Sequence, residues 1–238
     1  AVGYEGKPGD RLLDPACGSG TFLLRAIRRI VGQDRGGPSD GPPPAPVEGQ
    51  PEAAGRRRAD HDLARKILAG VVGMDLNPLA VLSARANLLL ALGDLLTDVK
   101  GVRIPIYWQD SILAEGDQNV GELAPFDYVV GNPPWIAWDN LPDDYRRATM
   151  GLWRRYGLFS LSGNEARHGG AKKDLSMLML YATADRYLQD HGRLGMVITQ
   201  TLFQSKGAGD GFRRFRLGDD GPRLGVLQVD DLSRLKPF

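Results

Sequence analysis

A strand, a tight turn and a helix near the start of the chain constrain its fold more than any other feature. Arg11-Leu12-Leu13-Asp14 reads as a short strand, and Pro15-Ala16-Cys17-Gly18-Ser19-Gly20-Thr21 follows at once. From Phe22 to Val31 the apolar residues Leu23, Ile27, Ile30 and Val31 recur at helical spacing, with Arg25, Arg28 and Arg29 on the other side. A strand, a Gly-x-Gly turn and a helix make the kind of loop that receives nucleotide cofactors. The glycines let backbone approach a ligand, and the helix N-terminus favours a carboxylate or phosphate. The third glycine of the dinucleotide fingerprint is missing, so this loop alone does not separate a ligand site from a structural turn.

The same alternation continues downstream. Ile67 to Met74 is an apolar run ending in Asp75, and Asn77-Pro78 then opens a helix. Asn suits the N-cap, and Pro suits the first helical position. An acid that ends a second strand is placed to hold the two hydroxyls of an adenosine ribose. Pro105-Ile106-Tyr107-Trp108-Gln109-Asp110 is a further strand ending in an acid, which can accept a bond from an adenine amino group. Each acid taken singly is explained equally well as a cap or turn residue.

The segment Val130-Gly131-Asn132-Pro133-Pro134-Trp135 carries the most chemistry. It follows the apolar run Phe126-Asp127-Tyr128-Val129-Val130, which reads as a buried strand. The Asn132 amide and the Pro133 carbonyl can both accept hydrogen bonds from an exocyclic amine. The two prolines stiffen the loop. Trp135 offers a flat face on which an extruded base can stack, an interaction of roughly 1–3 kcal/mol per base. The combination points to alkylation of an amino group on a planar ring.

Taken together, Asp14 to Phe22, Gly73-Met74-Asp75-Leu76-Asn77-Pro78, Asp110 and Asn132 to Trp135 resemble the S-adenosylmethionine-dependent DNA adenine-N6 methyltransferases, above all those of restriction–modification and phage-defence systems. Lys172 to Leu188 resembles the helix that follows the Asn-Pro-Pro-aromatic loop in that family. Gly192 to Gln200 resembles its next strand. The resemblance implies an α/β, Rossmann-like class I methyltransferase fold, with a mostly parallel open sheet flanked by helices and without its final strand. The strand carrying Asn132 should neighbour the first strand, and the two loops should face each other across one crevice. Asp14, Pro15, Ala16, Cys17, Gly18, Gly20, Thr21, Phe22, Asp75, Leu76, Asp110 and Ser111 are the implied cofactor residues. Asn132, Pro133, Pro134 and Trp135 are the implied catalytic set, acting on an adenine flipped out of double-stranded DNA. Family members more often carry Tyr or Phe where Trp135 stands, and Trp can stack in the same way.

Composition bounds the remainder. The 238 residues suit one α/β domain with a real core, and the resemblance implies that 1–238 is a single methyltransferase catalytic domain. One cysteine excludes an internal disulfide and fits a reducing cytoplasm. Cys17 reads as a small packing residue, and three histidines without ligand spacing give no metal site. No apolar run is long enough to cross a membrane, and there is no signal peptide. Thirty Lys and Arg against twenty-nine Asp and Glu leave a net charge of +1, so any DNA surface must come from local clusters. Lys172 and Lys173 are the candidates for a phosphate contact, or else a solvated helix face. The stretch from about 32 to 60, with Pro42-Pro43-Pro44, reads as a disordered Pro- and Gly-rich insertion ahead of a short helix over 61–69. A last strand is expected near Leu224 to Val229. The chain starts on Ala1, and Ala1 to Asp10 lacks the family's upstream cofactor motif. It is therefore expected to be a fragment without a target-recognition region, working with a specificity or restriction subunit or fused domain. Other readings are an RNA guanine-N2 or protein glutamine methyltransferase, a non-catalytic cofactor-binding subunit, or a nucleotide-binding dehydrogenase. The last leaves Asn-Pro-Pro-Trp unexplained.

Overall fold

The computed structural model describes residues 2–34, 53–97, 99–116, 125–158, 173–204 and 211–232. These fall into two compact units. One holds Val2–Gly131 with Arg186–Gly195, and the other holds Asn132–Asp185 with residues from Met196 onward.

The first unit carries a six-stranded sheet. Its strands are β1 (Leu12–Asp14), β2 (Val71–Asp75), β3 (Ile106–Asp110), β4 (Glu115–Gly116), β5 (Phe126–Gly131) and β6 (Leu188–Met196). The spatial order is β4-β3-β2-β1-β5-β6. β1 runs parallel to β2, with Leu12 opposite Val71, and parallel to β5, with Leu12 opposite Tyr128. β2 runs parallel to β3, while β4 turns back antiparallel at the edge. The expected adjacency of the first strand and the strand before Asn132 is therefore present. Between β1 and β5 the connections change direction across the sheet. Open α/β sheets bind ligands beyond the carboxyl ends of the strands at such a point. Asp14 ends β1 there, Asp75 ends β2, and Gly131 ends β5.

Three helices pack with this sheet: α1 (Thr21–Asp34), α2 (Ala53–Gly70) and α3 (Pro78–Leu92). α1 buries Leu23, Ala26 and Ile27 and exposes Arg25, Arg28 and Arg29, as its periodicity predicts. Together with Leu63, Ile67, Val81, Ala84, Leu88 and Ile106 they form one core. Asn77 caps α3 as expected, its side-chain oxygen accepting from the Leu79 amide at 3.0 Å, with Pro78 in the first turn. By length and composition alone, Pro78–Leu96 is apolar enough to cross a membrane, which corrects the sequence expectation. In this structure Val81, Ala84, Leu88 and Leu92 of that segment join the core, and the Arg85 guanidinium bonds the Ile106 carbonyl at 2.7 Å.

Two further corrections concern the insertion. α1 runs on to Asp34, and α2 begins at Ala53, eight residues ahead of the expected helix start. Residues 35–52 lie outside the described residues.

The second unit is built on aromatic packing. It contains α4 (Asp143–Arg155) and α5 (Leu175–Tyr187, in this unit up to Asp185). Trp138 meets Trp153 edge to face at 5.2 Å, and Phe212 meets Tyr181 and Phe215 at 5.9 and 5.4 Å. Residues 143–155, left unassigned from the sequence, form a helix. Asp143 and Asp144 sit in its first turn and Arg154 and Arg155 in its last, each sign at the end where the helix dipole favours it. The strand expected over Leu224 to Val229 is absent. Val226, Leu227 and Val229 are exposed, and the segment's pairing ends at an Arg216–Arg223 bridge and a Leu224 amide bond to the Phe215 carbonyl. An apolar segment with no neighbouring strand among the described residues has nothing to complete its ladder.

Candidate functional site

The Gly-rich turn is fixed to the end of β2 by two bonds. The Cys17 amide donates to the Met74 carbonyl at 2.8 Å, and the Gly18 amide donates to Asp75 Oδ2 at 2.8 Å. The other Asp75 oxygen accepts from the Asn77 amide at 2.8 Å. One carboxylate thus ties the turn after β1 to the start of α3. Gly20 takes a φ of +91°, and a Cβ there would stand 3.2 Å from Leu88 Cδ1. The positive φ therefore favours glycine at this position, and the approach of α3 leaves a side chain little room. Thr21 is exposed and Phe22 half-buried at the α1 N-terminus, where the first helical amides have no intrahelical acceptor.

Asp14 is 1% exposed. Its Oδ1 accepts from the Ala16 amide at 3.2 Å, and its Oδ2 has no hydrogen-bond partner among the described residues. Burial pushes its carboxyl up to about 8, opposed by the Ala16 amide and reinforced by Asp75. The Cys17 thiol is also buried. Burial, then Asp14 and Asp75, hold it in the protonated form, so it has no nucleophilic character at neutral pH. Pro15 is buried beside Asp14, and Ala16 is half-buried.

Gly131, a residue that sequence reasoning passed over, closes this end of the sheet. A Cβ on it would lie 2.9 Å from Asp14 Oδ1 and 3.5 Å from Pro15 Cδ. The signal was present, as a glycine on the last position of a strand often marks close backbone approach. Trp108 was missed too. Its indole N–H donates to the Leu76 carbonyl at 2.9 Å, and both side chains stay largely exposed beside Asp75.

Asp110 acts as a turn residue in this structure, its Oδ1 accepting from the Ile112 and Leu113 amides at 2.7 and 2.8 Å. Ser111 is buried, with an unpartnered hydroxyl, and its carbonyl accepts from the Tyr187 hydroxyl at 3.2 Å. Asp14, Asp75 and the Gly turn are thus brought together, with Asp110 and Ser111 two strands away from β1 at the same sheet edge.

Within the second unit, Asn132 directly follows β5 in the chain. Its side chain is exposed and makes no hydrogen bond among the described residues, whereas Pro133 is buried and Pro134 half-buried. Trp135 is 44% exposed, and its indole N–H donates to the Val197 carbonyl at 3.2 Å. The loop after Trp135 is held by an antiparallel bridge between Ala137 and Asp174. The Trp138 amide donates to the Lys173 carbonyl at 2.8 Å, and the Leu175 amide donates to the Ile136 carbonyl at 2.9 Å. Asp174 then caps α5 through the Ser176 amide at 2.9 Å. A stiff, anchored loop thus presents an amide unengaged among the described residues and a partly exposed indole. Lys173 contributes its main chain to this anchor, and Lys172 lies outside the described residues.

The adenine-specific methyltransferase PglX of Streptomyces coelicolor is 31% identical over 175 residues, covering 56% of this chain and 12% of that protein. A nuclease-deletion mutant of the Type ISP restriction-modification enzyme LlaGI, solved with a DNA substrate mimic, matches the fold with a TM-score of 0.59 and 19% identity. That match covers 87% of this chain and 17% of LlaGI. The M protein of the Type I restriction enzyme EcoKI matches with a TM-score of 0.50 and 17% identity, over 89% of this chain and 35% of its own. The chain therefore spans about an eighth to a third of these relatives. The sequence profile of the N-6 DNA methylases matches residues 3–220. With that match across the sheet, the Gly turn and the Asn-Pro-Pro-Trp loop, the chain belongs to the N-6 DNA methylase family.

Proposed function

We propose that this chain is the catalytic core of a DNA methyltransferase that moves a methyl group from S-adenosylmethionine to the N6 amine of adenine, in a restriction–modification or phage-defence setting. One observation carries the reading. A Gly turn tethered by Asp75 occupies the switch point of a parallel sheet, and the strand beside it runs directly into an unengaged Asn132 amide.

The residues fit the cofactor. Asp14 offers a buried oxygen without a partner, Gly18 leaves its Cβ position open, and Leu76 and Trp108 expose apolar surface next to Asp75. Asp14 to Phe22 would hold the methionine end, Asp75 and Leu76 the ribose, and Asp110 and Ser111 the adenine edge. When bound, S-adenosylmethionine supplies an electrophilic methyl group, which leaves the protein mainly a task of positioning.

On the acceptor side, Trp135 stacks on the extruded base and offsets part of the few kcal/mol that flipping costs. Asn132 Oδ1 and the Pro133 carbonyl accept the two N6 hydrogens. This holds the nitrogen lone pair out of conjugation with the ring and available for in-line attack. Lys172 and Lys173 are assigned to the DNA backbone. The named relatives are restriction-modification enzymes or an adenine-specific methyltransferase, and they support double-stranded DNA as substrate with a specificity or restriction subunit or fused domain as partner.

Asn132→Ala tests the assignment. Single-turnover transfer should be lost while S-adenosylmethionine still binds with the parent's affinity. Parallel loss of binding and transfer contradicts the role given to Asn132.

A further inference from the structure

Asp14 is the side chain whose surroundings provide least for it. It is 1% exposed, receives one bond from the Ala16 amide at 3.2 Å, and leaves Oδ2 without a partner among the described residues. The titratable groups facing it are Asp75 from β2 and the Cys17 thiol of its own turn. From β5 it meets Gly131, whose missing side chain leaves Oδ1 its room. No cation stands among these neighbours. A carboxylate buried without a countercharge takes up a proton instead, and its carboxyl is accordingly raised to about 8. The protonated form is no better satisfied, because its O–H then lacks an acceptor. The partner that completes this arrangement is a positively charged group arriving from outside the fold.

Resting on the cofactor reading above, we propose that Asp14 receives a cationic group of the methyl donor and gives up its own proton to solvent as the donor binds. The carboxylic O–H bond breaks, the proton passes to buffer, and the carboxylate pairs with the cation. No covalent bond to the ligand forms. Cofactor uptake is then linked to pH. The slope of log affinity against pH equals the protons released, so binding tightens by close to tenfold per pH unit, about pH 6 to 7. In that window the ligand's own α-amine, with a pKa of about 8, keeps its proton.

The experiment is calorimetric titration of the full chain with S-adenosylmethionine at about pH 6.5, in buffers of differing ionisation enthalpy. Close to one proton released per cofactor, with affinity rising across the window, is the expected result. Asp14→Asn should release none and bind with flat pH dependence. Infrared difference spectra of the parent should lose a protonated-carboxyl band on binding, which tests the assignment without any variant. S-adenosylhomocysteine keeps the ammonium but lacks the sulfonium. Equal proton release with it assigns the partner as the ammonium, and release confined to S-adenosylmethionine assigns it as the sulfonium. Both outcomes support the coupling. Binding with no proton released, or with release unchanged in Asp14→Asn, overturns it while leaving the cofactor reading intact. Failure of the folded parent to bind S-adenosylmethionine overturns the cofactor reading, and this inference with it.

Discussion

Asp75→Ala separates a structural tether from a ligand contact. In the structure both carboxylate oxygens are already engaged, one by the Gly18 amide and one by the Asn77 amide, each at 2.8 Å. Hydrogen bonds to a charged group contribute about 1.5–3 kcal/mol each. Asp75 is half-buried, so water replaces part of what is lost, and the low end applies. The two together give about 3 kcal/mol. For a chain of this length that corresponds to a fall in Tm of about 6–12 °C. Asp75→Asn keeps one acceptor and turns a donor toward the other amide, so it should lose about half as much. Thermal unfolding followed by circular dichroism reads the stability, and titration with S-adenosylmethionine reads the turn. An Asp75→Ala chain that melts with the parent yet no longer binds cofactor would refute the tether and leave only direct contact with the ligand.

Gly73→Ala puts a Cβ 2.7 Å from both Leu23 Cδ1 and Ile106 Cδ1 and 3.2 Å from Cys17 Sγ, all of them buried. Overpacking less the gain from removing a glycine should cost about 1–2 kcal/mol in urea unfolding. The raised Asp14 carboxyl has a definite sign for stability. The folded state holds that proton up to about pH 8, whereas the unfolded state releases it near 3.8. The contribution is therefore fully present below the unfolded value and lost as pH rises toward 8. Relative to the parent, Asp14→Asn should gain Tm steadily between those limits. Trp135→Ala should weaken binding of DNA carrying an extruded 2-aminopurine by about 1–3 kcal/mol, read by fluorescence, while Trp135→Phe keeps most of the affinity.

What the sequence made legible was local. The strand–turn–helix at Leu12–Asp34, the Asn77 cap with Pro78, and the strand leading into Asn132 each depend on residues within a few positions of one another. Those contacts are written into spacing and propensity. The role of Gly131 is not, because the atom it must avoid belongs to Asp14, more than a hundred residues away. Asp75 was legible as an acid at the end of a strand, but its bond to Gly18 spans 57 residues and required the sheet. Residues 224–229 are apolar enough for a strand and lack a partner strand among the described residues, a property of the fold rather than of the segment. α4 could have been read. Its charges are sorted by the helix dipole, and Thr149 and Trp153 place buried positions four apart, but the polar composition concealed them.

The most direct test of the account identifies the methylated atom. The chain would be incubated with methyl-labelled S-adenosylmethionine and, in separate reactions, double-stranded DNA, structured RNA and a glutamine-containing peptide. Each product would be digested and resolved by mass spectrometry. The account predicts label in N6-methyladenine from DNA, absent with Asn132→Ala. Label in N2-methylguanine or on glutamine, with adenine unmodified, would contradict it.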